Sequence, residues 1–294
     1  SIAGRIYNNE ITKLAQMHDS FVTYKNFYFL KVASALTAVL IIFYLFHDAY
    51  PEPNGGSWLG YLLGILGAVI LIWLSLLGIR KRRYRESQGN TVSWVSAHIY
   101  LGSALIIITT LHSGFQFALN IHFLGYFLTL LVVLTGFYGL YAYSVYPDKI
   151  TANCGDLTRD TMFDEVIDLD ERSLAIAESV SPDFYAQILD LIESCRVKPS
   201  LFQQIFSNSD YKNANLESLV NRIKNSINSD HENRDNLNLL HDLIIAKYAL
   251  LKKIDWDIRY NCRLNWWLYL HVPLTLALIA AVAIHVFIIF YYWW

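Results

Sequence analysis

Four of the nine histidines in this 294-residue chain stand inside long apolar stretches. His98 and His112 lie in one stretch, and His271 and His285 lie in another. The members of each pair are 14 positions apart. On an α-helix, that spacing returns to within about 40° of the same face after a rise of about 21 Å. Each stretch therefore predicts a helix that presents two imidazoles on one face, and neutral imidazole is a common ligand of iron, copper and zinc.

The elements that must position these histidines are membrane spans. Five stretches are long and apolar enough to cross about 30 Å of hydrocarbon, which takes roughly 20 residues. We place them at about 29–46, 58–79, 93–117, 122–146 and 266–292. The chain is 54% hydrophobic and only 16% charged, which is unusual for a soluble domain. The sequence predicts an all-α membrane protein with five transmembrane helices.

Basic residues set the predicted orientation. The connection after the second span has five basic residues between Arg80 and Arg85, whereas the connections at 47–57 and 118–122 have none. The positive-inside rule then places the N-terminus, the 80–92 connection and residues 148–264 in the cytoplasm, with the C-terminus outside. We expect an integral protein of a bacterial cytoplasmic (inner) membrane.

Charge is concentrated in one segment. Residues 148–262 hold 20 of the 25 acidic and 13 of the 23 basic residues, and their apolar residues recur at helical spacing. We predict a cytoplasmic helical insertion of three or four helices between transmembrane helices 4 and 5, the last of which continues into the fifth span. The predicted order is an N-terminal cytoplasmic segment (1–28), transmembrane helices 1–4 (29–147), the insertion (148–264) and transmembrane helix 5 (265–294).

This topology decides how the histidines pair. The third and fifth spans run parallel, because the fourth span and the insertion return the chain to the same side. His98 then shares an inner level with His271, and His112 shares an outer level with His285. Two imidazoles that face each other are the axial ligands of a six-coordinate haem iron. The sequence therefore predicts two non-covalent haem b groups with these four histidines as the iron ligands, and it predicts no catalytic residue.

The histidine pattern resembles a known family. Paired histidines 14 positions apart on two parallel spans are similar to those of di-haem cytochromes b, including the cytochrome b of quinol–cytochrome c oxidoreductases. Their placement on spans three and five resembles the ferric reductase-like transmembrane superfamily. The resemblance covers about 57–146 and 265–292, and it implies that His98 and His271 ligate an inner haem and His112 and His285 an outer one. The Gly-rich dinucleotide fingerprint and the Pro-Glu-Trp-Tyr signature found in parts of these families are missing.

Three functions remain open at this point. The first is transmembrane electron transfer by the cytochrome b subunit of a respiratory redox complex, with iron–sulfur, flavin or c-type cytochrome proteins as partner subunits. The second is a stand-alone quinol or metal reductase, with a quinone as an additional ligand. The third is a haem-free scaffold or transporter whose histidines relay protons. We expect an electron-transfer subunit rather than a self-contained enzyme. The net charge of −2 argues against nucleic acid as a partner.

The remaining histidines and the cysteines give weaker signals. His47 and His122 fall at the outer interface, where a polar residue is ordinary, although either could assist a quinone or a haem propionate. The three cysteines, Cys154, Cys195 and Cys262, form neither a C-x-x-C nor a C-x-x-C-H motif. We expect them to be unreactive thiols.

Overall fold

The structure is a computed structural model that describes residues 21–47, 54–83, 88–117, 121–194, 200–207, 214–229 and 232–292. The N-terminal segment up to residue 20, the tips of the two predicted outer connections and Cys195 lie outside the described residues. So do the side chains of the basic run at 80–85, on which the predicted orientation depends. The orientation therefore stays a prediction.

Helices form all of the regular structure in the described residues. They are α1 (Tyr24–Phe46), α2 (Trp58–Arg83), α3 (Gln88–Ser113), α4 (Ile121–Cys154), α5 (Arg159–Val180), α6 (Pro182–Ser194), α7 (Leu201–Phe206), α8 (Ala214–Ser229), α9 (Arg234–Asn265) and α10 (Leu268–Tyr292). Five helical stretches, which contain α1, α2, α3, α4 and α10, are long and apolar enough to cross a membrane. The predicted fold class, an all-α membrane protein with five transmembrane helices, is confirmed.

The end of α3 differs from the prediction. The sequence places the end of the third span near Phe117, whereas the helix ends at Ser113. Gly114 and Phe115 follow with φ angles of +59° and +61°. The Gly114 amide donates to the carbonyl of Leu111. A left-handed residue directly after the last turn ends a helix in this way, and glycine adopts that conformation most easily.

The chain divides into two compact units. The first contains the described residues of 1–137 and 269–294, and the second is Tyr138–Leu268. The second unit thus begins about ten residues before the predicted insertion, inside α4. Aromatic contacts give the reason. The Tyr138 hydroxyl donates to the carbonyl of Arg263 at 3.3 Å, and its ring centroid lies 5.5 Å from that of Trp266, so the last turns of α4 pack with the end of α9.

The first unit has an aliphatic core to which all five spans contribute. The closest backbone packing is between α3 and each of α1 and α2. The buried residues of this core are Leu40, Leu59, Leu63, Ile70, Leu71, Leu74, Leu105, Ile108, Leu111 and Leu278. Val132 of α4 packs against them. This core places the histidine-bearing helices α3 and α10 in one bundle.

The second unit contains five complete helices, α5 to α9, where the sequence predicts three or four. The difference arises because α7 has only six residues, too few to show a helical period. The long helix α9 ends at Asn265, and Trp266 keeps helical angles of φ −60° and ψ −32° before α10 begins. The backbone therefore continues almost directly from α9 into the fifth span.

Candidate functional site

The structure brings the four intramembrane histidines together in two pairs within the first unit. The ring centroids of His98 and His271 are 6.3 Å apart, with the ring planes at 59°. Those of His112 and His285 are 6.1 Å apart, with the planes at 84°. The earlier residue of α3 meets the earlier residue of α10, and the later meets the later. The two helices consequently run parallel.

One imidazole of each pair is oriented through its Nδ1 atom. His112 Nδ1 lies 2.7 Å from the carbonyl oxygen of Gly60, which can only accept, so Nδ1 carries the proton. His271 Nδ1 lies 3.0 Å from the hydroxyl oxygen of Thr135, and that hydroxyl donates to the carbonyl of Val132. The Thr135 oxygen therefore accepts from the ring. In both neutral imidazoles this leaves the lone pair on Nε2, the arrangement found for metal-ligating histidines.

The other imidazole of each pair has an unsatisfied nitrogen. The Nδ1 atoms of His98 and His285 are buried and, among the described residues, have no hydrogen-bond partner of good geometry, although the backbone of Leu74 lies beside the His98 ring. A buried polar atom without a partner costs about 1–3 kcal/mol. Each pair thus combines one imidazole whose Nδ1 atom is hydrogen-bonded with one imidazole whose Nδ1 atom is not.

Glycines leave space for two of the imidazole rings, those of His112 and His271. A Cβ atom on Gly64 would lie 2.8 Å from Cε1 of His112, which real Cβ atoms do not tolerate. A Cβ on Gly55 would lie 3.4 Å from the same carbon. Near the other level, a Cβ on Gly136 would lie 3.5 Å from Cε1 of His271. The small residues of α2 and α4 thereby give the imidazoles space.

Two leucines separate the two levels. Leu105 lies halfway between His98 and His112 in the sequence, and Leu278 lies halfway between His271 and His285. They are 4% and 1% exposed and belong to the same aliphatic cluster. The middle of the bundle is therefore filled by apolar side chains.

The fifth span is sparsely packed within the bundle. The helices α2 and α3 pack directly against each other, and directly packed helices have axes about 8–10 Å apart. In the described residues, α10 has no comparable backbone packing with any other helix. Only 11% of the most apolar window of the fifth span is buried. The helix α10, which carries His271 and His285, thus has the most uncovered surface of the five spans.

The chain matches no protein-family model, no curated protein and no solved structure.

A third imidazole near the His112–His285 pair was not part of the predicted ligand set. His122 is the second residue of α4, and its ring centroid lies 4.4 Å from that of His285, with the planes at 77°. His122 is exposed. Sequence position at an interface gives no sign of this contact, because it depends on how α4 approaches α10. His122 therefore lies next to the His112–His285 pair.

The donor set suits an iron porphyrin better than a bare metal ion. Among the described residues, no group of three or more His, Cys, Asp or Glu side chains could hold a metal ion. A haem iron needs only two axial ligands from the protein, since the porphyrin supplies the others. An iron bonded to two rings at about 2 Å, with each ring centroid about 1.1 Å behind its nitrogen, separates the centroids by about 6.2 Å. Both observed separations fit this distance.

The apolar surroundings limit what else the site can do. No charged residue occurs in the sequence from 91 to 146 or from 265 to 294. Ion and solute transporters usually place charged or strongly polar groups along their route. The site is therefore an insulated set of imidazoles rather than a polar channel.

Proposed function

We propose that this protein transfers electrons across a membrane through two b-type haems. His98 and His271 would hold one haem, and His112 and His285 the other. The observation that carries the proposal is the close approach of the two imidazoles in each pair, with centroid separations of 6.3 and 6.1 Å. Haem iron supplies reversible one-electron chemistry when it is bound.

The contribution of the chain follows from its own residues. Gly60 and Thr135 hold Nδ1 of one imidazole at each level, which orients Nε2 and raises its basicity as a ligand. Leu105 and Leu278 exclude water between the levels. With two histidines as ligands at each level, a bound haem would be held for electron transfer rather than for chemistry on oxygen or a substrate. These features support an electron-conducting subunit, as di-haem cytochromes b are, rather than an enzyme that acts at the metal.

The test is the visible spectrum and the haem content of the purified protein. We expect a b-type α band in the reduced-minus-oxidised spectrum and two haems per chain by the pyridine haemochrome assay. Substitution His112→Ala should remove one haem and retain the other, and His98→Ala should do the converse. His47→Ala is the matched control, because this outer histidine contacts Trp58 and neither pair. Haem content near zero in the unsubstituted protein would rule the proposal out.

A second candidate, electron exchange with a quinone at the outer level, is favoured by one cleft. It has a volume of about 310 Å³, near the lower limit for small-molecule pockets, and lies between α1 and α3. Its lining is almost wholly apolar and includes Tyr44, Ile107, Thr110 and Phe115. Thr110 is two residues from His112. The cleft has the character needed for an apolar quinone in the membrane.

A cleft-filling variant tests this candidate. Ile107→Trp should slow haem reduction by a short-chain quinol while leaving haem content at two per chain. Val39→Trp, at an exposed apolar position of α1 outside the cleft lining, is the control. Equal reduction rates in the two variants would exclude the cleft as a quinone site.

A further inference from the structure

The short helix α7 carries the most exposed apolar surface of the second unit. Leu201, Phe202 and Phe206 are 73%, 72% and 63% exposed. Among the described residues of 138–268, no other large hydrophobic side chain is as exposed. The two phenylalanine rings lie together, with centroids 5.0 Å apart. Contiguous exposed apolar residues of this kind mark an interaction surface.

This helix is well defined despite its length. Ser200 caps its N-terminus, since the Ser200 hydroxyl accepts from the Gln203 amide and the Gln203 side chain accepts from the Ser200 amide. This reciprocal capping box satisfies two backbone donors. The exposed apolar side chains therefore belong to a helix with a complete N-terminal cap.

Two arginines of α9 hold the other end of α7. Arg263 donates from Nε to the carbonyl of Gln204 at 3.1 Å and from Nη2 to the carbonyl of Ser207. Arg259 also donates to the Ser207 carbonyl, at 3.2 Å. Both guanidinium groups are buried, with whole-residue exposures of 5% and 7%. The last carbonyls of a helix are favourable positions for cations, so this attachment fixes α7 to the end of α9.

The attachment point lies at the edge of the membrane-spanning part of the chain. Arg263 is the last charged residue before the fifth span, and Trp266 follows one turn later. The Tyr138 hydroxyl donates to the Arg263 carbonyl, and the ring of Tyr146 lies 6.0 Å from that of Tyr260. Tyr146 is the last residue of the fourth apolar stretch before the charged Asp148. The anchor of α7 is thus close to the residues at which the fourth apolar stretch ends and the fifth begins.

We propose that α7 is an interfacial helix whose Leu201, Phe202 and Phe206 insert into the headgroup and acyl boundary of the bilayer that the five helices span. The anchoring arginines fix α7 to the end of α9, three residues before Trp266, so the helix is attached close to where the fifth apolar stretch begins. The neighbouring sequence also fits a lipid surface, since residues 195–213 contain three basic residues, Arg196, Lys198 and Lys212, and one acidic residue, Asp210. The proposal does not depend on haem binding.

Spin labels on the full chain in phospholipid nanodiscs test the proposal. The labels are placed through Phe202→Cys or Phe206→Cys in a chain whose three cysteines are replaced by serine. Ile167→Cys on α5 is the matched control, because Ile167 is also highly exposed, at 56%. Ile167 lies about two turns after Arg159 on α5. Arg159 pairs with Asp257, which lies toward the end of α9 that leads into the fifth span. Collisions with molecular oxygen report lipid, and collisions with a neutral nickel complex report water.

The ratio of oxygen to nickel collisions should be several-fold higher at positions 202 and 206 than at position 167. Equal ratios at all three positions would overturn the proposal, because α7 would then face water. Protection of 202 and 206 from both reagents would also overturn it, since the occupant would then be a protein partner or a second copy. These positions are exposed, so the labels do not disturb packing, and the elution volume of each variant is compared with that of the unlabelled chain.

Discussion

His112 and Gly60 are joined by a hydrogen bond of 2.7 Å between the imidazole Nδ1 and the backbone carbonyl oxygen. The two residues are 52 positions apart, on α3 and at the start of α2. Because a carbonyl only accepts, the bond selects the tautomer with the proton on Nδ1. The first turn of α2 therefore determines which nitrogen of His112 is available to a ligand, whatever that ligand is.

The position of the His112 ring can be tested by a substitution at Gly64. A Cβ atom there would lie 2.8 Å from Cε1 and 3.0 Å from Nδ1 of His112, so Gly64→Ala must displace the ring. We expect the variant to lose one of two haems per chain and to retain the spectrum of the other. The measurement is the haem-to-protein ratio by the pyridine haemochrome assay, together with the reduced spectrum.

Gly78→Ala is the matched control for this variant. Gly78 lies on the same helix, and an added Cβ would meet nothing within 4 Å. Haem content should therefore stay at two per chain. If Gly64→Ala also kept two haems, the His112 ring would not be the ligand that we assign to the outer level.

If the proposed haem is bound by His98 and His271, the hydroxyl of Thr135 should influence its redox potential. Thr135→Val removes the hydroxyl that accepts from the His271 Nδ1–H, which would make the imidazole a weaker ligand of an oxidised haem iron. The loss of a hydrogen bond worth about 1 kcal/mol corresponds to about 40 mV for a one-electron couple. We expect the midpoint potential of this haem to rise by roughly that amount in a spectroelectrochemical titration.

Two further threonine variants separate this effect from a general loss of packing. Thr135→Ser keeps the hydroxyl and should restore the original potential. Thr129→Val removes a buried hydroxyl from the same helix, which donates to the Gly125 carbonyl and has no contact with a histidine. A shift in Thr129→Val equal to that in Thr135→Val would show that the hydrogen bond to His271 is not its cause.

Much of the first unit is predictable because it depends on local patterns. The length of an apolar stretch predicts a span, and the interval of 14 between His98 and His112 predicts that both lie on one face. The direction of each span then follows from counting crossings, which predicts that His98 is paired with His271. These inferences need no knowledge of how side chains pack.

The groups that hydrogen-bond to the imidazoles could not be predicted, since these contacts join distant segments of the chain. Nothing in the sequence connects Gly60 to His112 or Thr135 to His271, because the rotation of each helix about its axis decides which group is within reach. The contact of His122 with His285 has the same origin. The six residues of α7 were missed for another reason, since a single turn has no period to detect.

The buried ion pair between Lys247 and Asp170 should dominate the stability of the second unit. Lys247 Nζ lies 2.5 Å from Asp170 Oδ1, and the two side chains are 2% and 16% exposed. Asp170→Asn leaves the Lys247 charge buried without a counter-charge, which typically costs about 3–5 kcal/mol. We expect hydrogen exchange of the α5 and α9 amides to accelerate by about a hundredfold or more, since each 1.4 kcal/mol is tenfold.

The control for this prediction is the exposed pair of Arg172 and Asp168 on α5. Their charged atoms are 3.4 Å apart, and both side chains are more than half exposed. Exposed pairs contribute about 0–1 kcal/mol, so Asp168→Asn should change the exchange rates little. Equal rates in Asp170→Asn and Asp168→Asn would show that the buried pair has no special role.

The reactivity of Cys154 should depend on Asp257. Burial raises the pKa of the Cys154 thiol above its ordinary value of 9.0, and the adjacent Asp257 carboxylate, 3.6 Å from Sγ, raises it further. Because the thiolate is the nucleophile, alkylation at neutral pH should be slow and should increase only at alkaline pH. Asp257→Asn removes the negative charge, so the midpoint of the pH–rate profile should move to lower pH.

The shape of the profile distinguishes this electrostatic effect from a simple opening of the structure. Asp257 also pairs with Arg159 at 2.5 Å, so its substitution loosens the contact between α5 and α9. Greater access alone would increase the alkylation rate at every pH without moving the midpoint. Cys262 is the internal reference, because burial raises the pKa of its thiol without a contribution from Asp257. A midpoint for Cys154 that stays unchanged in Asp257→Asn, while the rate rises uniformly, would contradict the assigned role of the carboxylate.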